Sequence, residues 1–120
     1  MESSCKDVPA GGVSLLYVTC PDAVVAEALA RTLLAERRIA CANLLPGMRS
    51  FYRWEGELQA ADEVVVLLKT ISAQVPATMV RIAELHPYQT PCIVELPAVR
   101  AAAAFAAWIT DQVVAEDRPR

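Results

Sequence analysis

Ile39 to Thr70 reads IACANLLPGMRSFYRWEGELQAADEVVVLLKT, and how this stretch folds back on itself decides the architecture. Ile39 to Leu45 has the character of a strand. Pro46 and Gly47 interrupt it, because proline removes a ladder donor, and a β-bulge is the usual accommodation. Ser50 to Glu55 resumes the strand with aromatic residues, and Gly56 marks a turn. Glu63 to Thr70 then encloses the apolar run Val64 to Leu68, which fits a strand covered on both faces. The stretch predicts a long antiparallel hairpin. Part of that hairpin should project past a shorter sheet, leaving backbone donors and acceptors unpaired and Phe51, Tyr52 and Trp54 exposed.

Outward from the hairpin, Val13 to Thr19 (VSLLYVT) is β-branched, apolar and aromatic and is closed by Pro21, which reads as a central strand. Asp22 can cap a helix over 23 to 37, where Val25, Leu29 and Leu33 recur every fourth residue and Glu27 precedes Arg31 at i,i+4. Beyond the hairpin, Val75, Met79, Ile82 and Leu85 return to helical spacing. Pro76 is tolerated in the first turn, and the helix stops before Pro87. Cys92 to Leu96, bracketed by Pro91 and Pro97, suits a sheet edge. Phe105, Trp108, Ile109, Gln112 and Val113 trace one stripe of an alanine-rich last helix that includes the run 101 to 104. The order is α+β: a ferredoxin-like βαββαβ sandwich with an extra C-terminal helix and a long hairpin between its second and third strands. Residues 1–12 read as a flexible lead-in, 13–114 as a single domain and 115–120 as a tail.

At 120 residues, 55% hydrophobic and 21% charged, the chain can build one core but not two, and it lacks the composition of a disordered protein. A formal charge of −3 offers no basic excess for phosphates, so no nucleic acid partner is expected. The longest apolar stretch, Ala101 to Ile109, is far short of the ~20 residues a spanning helix requires, and no membrane partner is expected either. The polar start of the chain does not show a signal peptide's basic and apolar regions, and the protein is expected to stay in the cytoplasm. There the four cysteines, Cys5, Cys20, Cys41 and Cys92, should remain thiols; none forms a Cys-x-x-Cys pair.

The sequence has no Gly-x-Ser-x-Gly elbow, no Gly-x-Gly-x-x-Gly and no phosphate-binding loop, so the chain reads as a non-enzyme. A hydrolase would have to be built around His86 without an evident partner. His86, the one histidine, lies between a helix end and Pro87-Tyr88 and serves either as a structural cap or as a metal ligand. Cys41 is either a small buried hydrophobe or a thiolate donor, and thiolate with imidazole would suit copper, above all Cu(I). Lys69 and Glu63 end an apolar strand; each snorkels to water, or the lysine lines a pocket. Tyr52, Trp54 and Tyr88 are interface packing or the rim of a ligand pocket.

Four blocks carry a resemblance. Arg38-Ile39-Ala40-Cys41-Ala42-Asn43-Leu44-Leu45-Pro46-Gly47, then Ser50-Phe51-Tyr52-Arg53-Trp54-Glu55-Gly56, then Leu68-Lys69-Thr70, then His86-Pro87-Tyr88-Gln89-Thr90-Pro91 closely resemble the CutA divalent-ion tolerance proteins, in the same order. The resemblance runs from about Val13 to Val113. It implies a ferredoxin-like subunit, a tight cytoplasmic homotrimer whose hairpins pair between neighbours, and a link to tolerance of copper and other divalent metals. It also implies that Cys41, Trp54, Lys69, His86 and Tyr88 cluster near the subunit boundary. Where relatives carry copper ligands, Val18 stands at a cysteine position and Leu85 at the first of two histidines, leaving His86 with Cys20 or Cys41 as the metal donors here. Cys92 stands where many relatives have glutamate. The alternative function is a PII-like trimeric signalling module that binds a small metabolite beside Tyr52, Trp54, Lys69 and Tyr88 at the subunit interface.

Overall fold

The computed structural model describes residues 7–9 and 12–113. Its strands are β1 (Asp7–Pro9), β2 (Val13–Cys20), β3 (Cys41–Trp54), β4 (Glu57–Ile71), β5 (Ile93–Pro97) and β6 (Arg100–Ala102). The helices are α1 (Ala23–Ala35), α2 (Val75–Leu85, entered through one 3₁₀ turn at Ser72–Gln74) and α3 (Ala103–Gln112). Four strands form an antiparallel sheet in the order β3-β4-β2-β5, with β5 at one edge as its flanking prolines predict. This is the α+β order expected from the sequence.

Part of the stretch expected to be a flexible lead-in, 1–12, is instead a strand: β1 pairs with β6, from Asp7 opposite Ala102 to Pro9 opposite Arg100. Pairing needs only backbone groups, and Pro9 is tolerable in so short an edge strand. The same pairing takes Ala101 and Ala102 out of the helix that their intrinsic preference predicts, so α3 begins at Ala103. Residues 1–6, Cys5 among them, 10–11 and 114–120, which include the tail 115–120, lie outside the described residues.

Alternation along the strands gives the sheet two unlike sides. On one, Leu16, Val18 and Cys20 of β2 and Val64, Val66 and Leu68 of β4 pack against Ala26, Leu29 and Leu33 of α1 and Val75 and Ile82 of α2. A second cluster, Val13, Ala40, Ile109 and Val113, seats α3 at the far end. The other side stays largely uncovered, with Leu45, Val94 and Leu96 each roughly half exposed.

Helix ends are tied individually. The Asp22 carboxylate accepts from the Val25 N–H at 2.9 Å, an N-cap read correctly from the sequence. Arg37, at φ 58, ends α1 and donates to the Asp111 and Gln112 carbonyls at the end of α3 (2.9 and 3.0 Å), where a cation meets the negative pole of that helix.

Glu36 accepts from Arg81 (Nη2 at 2.7 Å) and from Arg38 (Nε at 2.8 Å), joining the ends of α1 and α2. Hydrogen bonds from Arg81 first, then Arg38, hold its carboxyl down to about 2. Because the folded value lies below the ordinary 4.5, the bridge stabilises above pH 4.5 and is lost as pH falls from there toward 2. Glu36→Gln is expected to cost about 1 kcal/mol at pH 7, modest because the pair is partly solvated. Thermal unfolding of both proteins from pH 7 to pH 3 should show the gap narrowing below pH 4.5.

Candidate functional site

The Pro46-Gly47 interruption sets which side chains reach the uncovered side of the sheet. Before it, Leu45 pairs with Val65; after it, Met48 pairs with Glu63, so three steps along β3 match two along β4. This one-residue bulge exchanges odd for even positions. Downstream, Ser50, Tyr52 and Trp54 therefore share a side with Glu63, and through β2 with Tyr17 and Thr19. At the tip, Glu55 (φ 50) and Gly56 (φ 79) make a two-residue turn with both angles positive.

These residues wall a pocket of about 500 Å³, closed from the other direction by the α2–β5 connection: Tyr88, Gln89, Thr90 and Cys92. Glu63 is buried, and its Oε2 accepts from the Tyr88 hydroxyl at 3.1 Å. Burial, then that hydrogen bond, pushes the Tyr88 phenol up to about 12, so it stays a donor. The Tyr17 hydroxyl lies 3.6 Å from Met48 Sδ. The pocket can therefore offer aromatic surface and one carboxylate to a small molecule.

His86 sits behind this pocket, buried at the end of α2. Its Nε2 lies 2.7 Å from the Thr19 carbonyl oxygen, an acceptor, and its Nδ1 lies 3.1 Å from the Tyr88 backbone N–H, a donor. Those partners assign the proton to Nε2 and the lone pair to Nδ1. Both ring nitrogens are thus engaged, and the ring packs 4.8 Å from that of Tyr88.

Among the described residues the other expected metal donors do not gather with it into a set of three. Cys20 extends β2 on the same side as Val18, fully buried, and desolvation followed by the nearby Asp22 and Glu63 carboxylates pushes its thiol up to about 11. It is a protonated core residue. Cys41 points to the uncovered side opposite Lys69, whereas Cys20 pairs with Val64. Five residues of β4 separate those positions, about 17 Å. Among the described residues, no group of three or more His, Cys, Asp or Glu side chains is arranged to hold a metal ion. The described residues of one chain do not fit a copper centre.

Of the four residues expected around a ligand, Tyr52, Trp54 and Tyr88 do wall the pocket, but Lys69 does not. It stands six residues along β4 from Glu63, about 20 Å, with its Nζ 5.4 Å from the Phe105 ring centroid. Glu63 is the residue that sequence reasoning misjudged, expecting it to snorkel to water. A carboxylate opening a run of five apolar residues was the available signal.

Comparison with known proteins follows the same lines. Residues 14–112 match the family model described as CutA1 divalent ion tolerance protein. Protein CutA of Bos taurus is 36% identical over 99 residues, 82% of this chain but 56% of that protein, so the chain spans little more than half the length of this relative. The crystal structure of CutA from Xylella fastidiosa is similar with a TM-score of 0.84 and 35% identity, over 86% of this chain and 99% of that one. A protein from Archaeoglobus fulgidus described as a periplasmic divalent cation tolerance protein CutA is similar with a TM-score of 0.82 and 34% identity, over 85% of this chain and 99% of that one.

Proposed function

The chain belongs to the CutA1 divalent ion tolerance protein family, and from that premise we propose that it acts in tolerance of divalent metal ions as a cytoplasmic, non-catalytic homotrimer. The observation that carries the assembly is the unlike pair of sheet sides: one packed against helices, the other leaving Leu45, Val94 and Leu96 roughly half exposed. An apolar sheet side of this kind calls for a partner. The hairpin adds a second reason, because β3 forms the outer edge of the sheet and offers an unpaired ladder along 14 residues. Free thiols at Cys20, Cys41 and Cys92 suit the cytoplasm.

Direct copper binding through His86 with Cys20 or Cys41 is the demanding form of this reading. It requires His86 to give up a hydrogen bond and the buried Cys20 thiol to ionise, or a neighbouring chain to complete the donors. The test is mass spectrometry that preserves the assembly, with Cu(I) and Cu(II) titrated under reducing conditions. We expect three chains and no stoichiometric copper, which makes the metal link indirect; a monomer sinks the assembly. Copper bound by the wild type and lost in His86→Gln would restore the direct form.

A second reading, a trimeric signalling module with a small-molecule ligand, draws on the 500 Å³ pocket beside Tyr52, Trp54 and Tyr88. Lys69, the residue that would have attracted an anion, is not part of that pocket.

A further inference from the structure

Glu63 presents an imbalance that neither the core nor metal tolerance uses. Its side chain lies in the pocket wall, the residue is only 8% exposed, and the hydroxyl of Tyr88 is its hydrogen-bond partner at Oε2. Among the described residues no lysine, arginine or histidine side chain pairs with it; the nearby Arg49 is turned to Asp62 at 2.8 Å. A carboxylate that lines an aromatic pocket and has one neutral donor favours a cation beside it. Among the described residues no cationic side chain lines the pocket either.

The walls fit the same requirement. Tyr17, Tyr52, Trp54 and Tyr88 come from three separate parts of the chain and converge there. Aromatic faces attract cations through their quadrupole, most strongly cations whose hydration is weak. A 500 Å³ volume lies within the usual range for small-molecule sites. We infer that this pocket binds a small organic ammonium ion, its charge set against Glu63 and its alkyl groups against Tyr52, Trp54 and Tyr88. A hard divalent ion would want roughly six oxygen ligands and would not trade its water for ring faces. An anion would meet Glu63 with no cationic side chain among the described residues of the pocket lining to offset the repulsion. The inference rests on the ligand-binding reading of the pocket and is independent of metal tolerance.

The test titrates tetramethylammonium chloride into the intact wild-type assembly at constant ionic strength held with sodium chloride. Trp108→Phe in the background leaves Trp54 as the one tryptophan reporter. We expect a saturable change in Trp54 emission, absent with sodium. Glu63→Gln keeps the size of the side chain and its acceptor for Tyr88, and should weaken binding about tenfold. Tyr52→Leu, at an exposed hairpin position and with the assembly checked by native mass spectrometry, should weaken it several-fold. The inference is overturned if the wild type shows no saturable response, if Glu63→Gln binds as tightly, or if Mn²⁺ occupies the site in preference. It is also overturned if a structure of the assembly finds a neighbouring chain's side chain filling the pocket. Citrate binding in place of tetramethylammonium would end this proposal while leaving the ligand-binding reading standing, and an assembly still intact by native mass spectrometry leaves the trimer untouched by either result.

Discussion

His86→Ala is expected to destabilise the protein by about 3 kcal/mol, measured by urea unfolding in the presence of a chelator. The imidazole donates from Nε2 to the Thr19 carbonyl at 2.7 Å and accepts at Nδ1 from the Tyr88 N–H at 3.1 Å. Alanine leaves both backbone groups without those partners in a buried place and opens a void where the ring met Tyr88. Orphaning a buried polar group costs about 1–3 kcal/mol, and lost packing adds to it. Since Thr19 belongs to the central strand and Tyr88 to the pocket wall, the same change should loosen the loop that positions Tyr88. The chelator is what makes the measurement decisive. A ring whose work is ligating copper contributes little to stability when no metal is present, so a variant as stable as wild type would overturn the structural role. If the loss appears, copper experiments based on His86→Ala alone would confound a missing ligand with a damaged site, which is why the milder His86→Gln belongs in them.

This histidine also shows how far the sequence could be read. Its position between a helix end and Pro87-Tyr88 left a structural cap and a metal ligand open, and choosing required the two partners it meets across the fold. The elements themselves were legible, because each has a local cause: Pro21 and Pro87 stop what precedes them, Asp22 caps α1, and periodicity separates helix from strand. Distances within the sheet were not. Cys41 and Lys69 resemble site residues in sequence, yet strand register puts them opposite each other and about 17 Å or more from Cys20 and Glu63. The hydrogen bonds of Arg37 to Asp111 and Gln112 likewise span a separation that no local pattern encodes. Pro46-Gly47 signalled a bulge. How many residues of β3 it absorbs, and hence which side Tyr52 and Trp54 face, depends on pairing with β4.

Gly47→Val should expose that dependence, at an expected cost of about 2 kcal/mol. Gly47 has φ +89, and a Cβ added there would meet nothing within 4 Å, so the cost is one of backbone conformation and not of crowding. A β-branched residue resists positive φ, whereas asparagine tolerates it better. Gly47→Asn should therefore lose less than half as much, an ordering that steric crowding would not produce. Denaturant unfolding of the three proteins side by side checks it, and equal losses for Val and Asn would refute the backbone account. The consequence for the site is sharper than the stability change. If valine removes the bulge while the chain length is kept, β3 pairs one residue out of register beyond Leu45, and Tyr52 and Trp54 turn away from Glu63. The pocket would then lose two aromatic walls at once, although no residue lining it had been altered. A fall in Trp54's response to tetramethylammonium larger than the stability loss explains would show that the bulge, by one residue's worth of register, is what assembles the site.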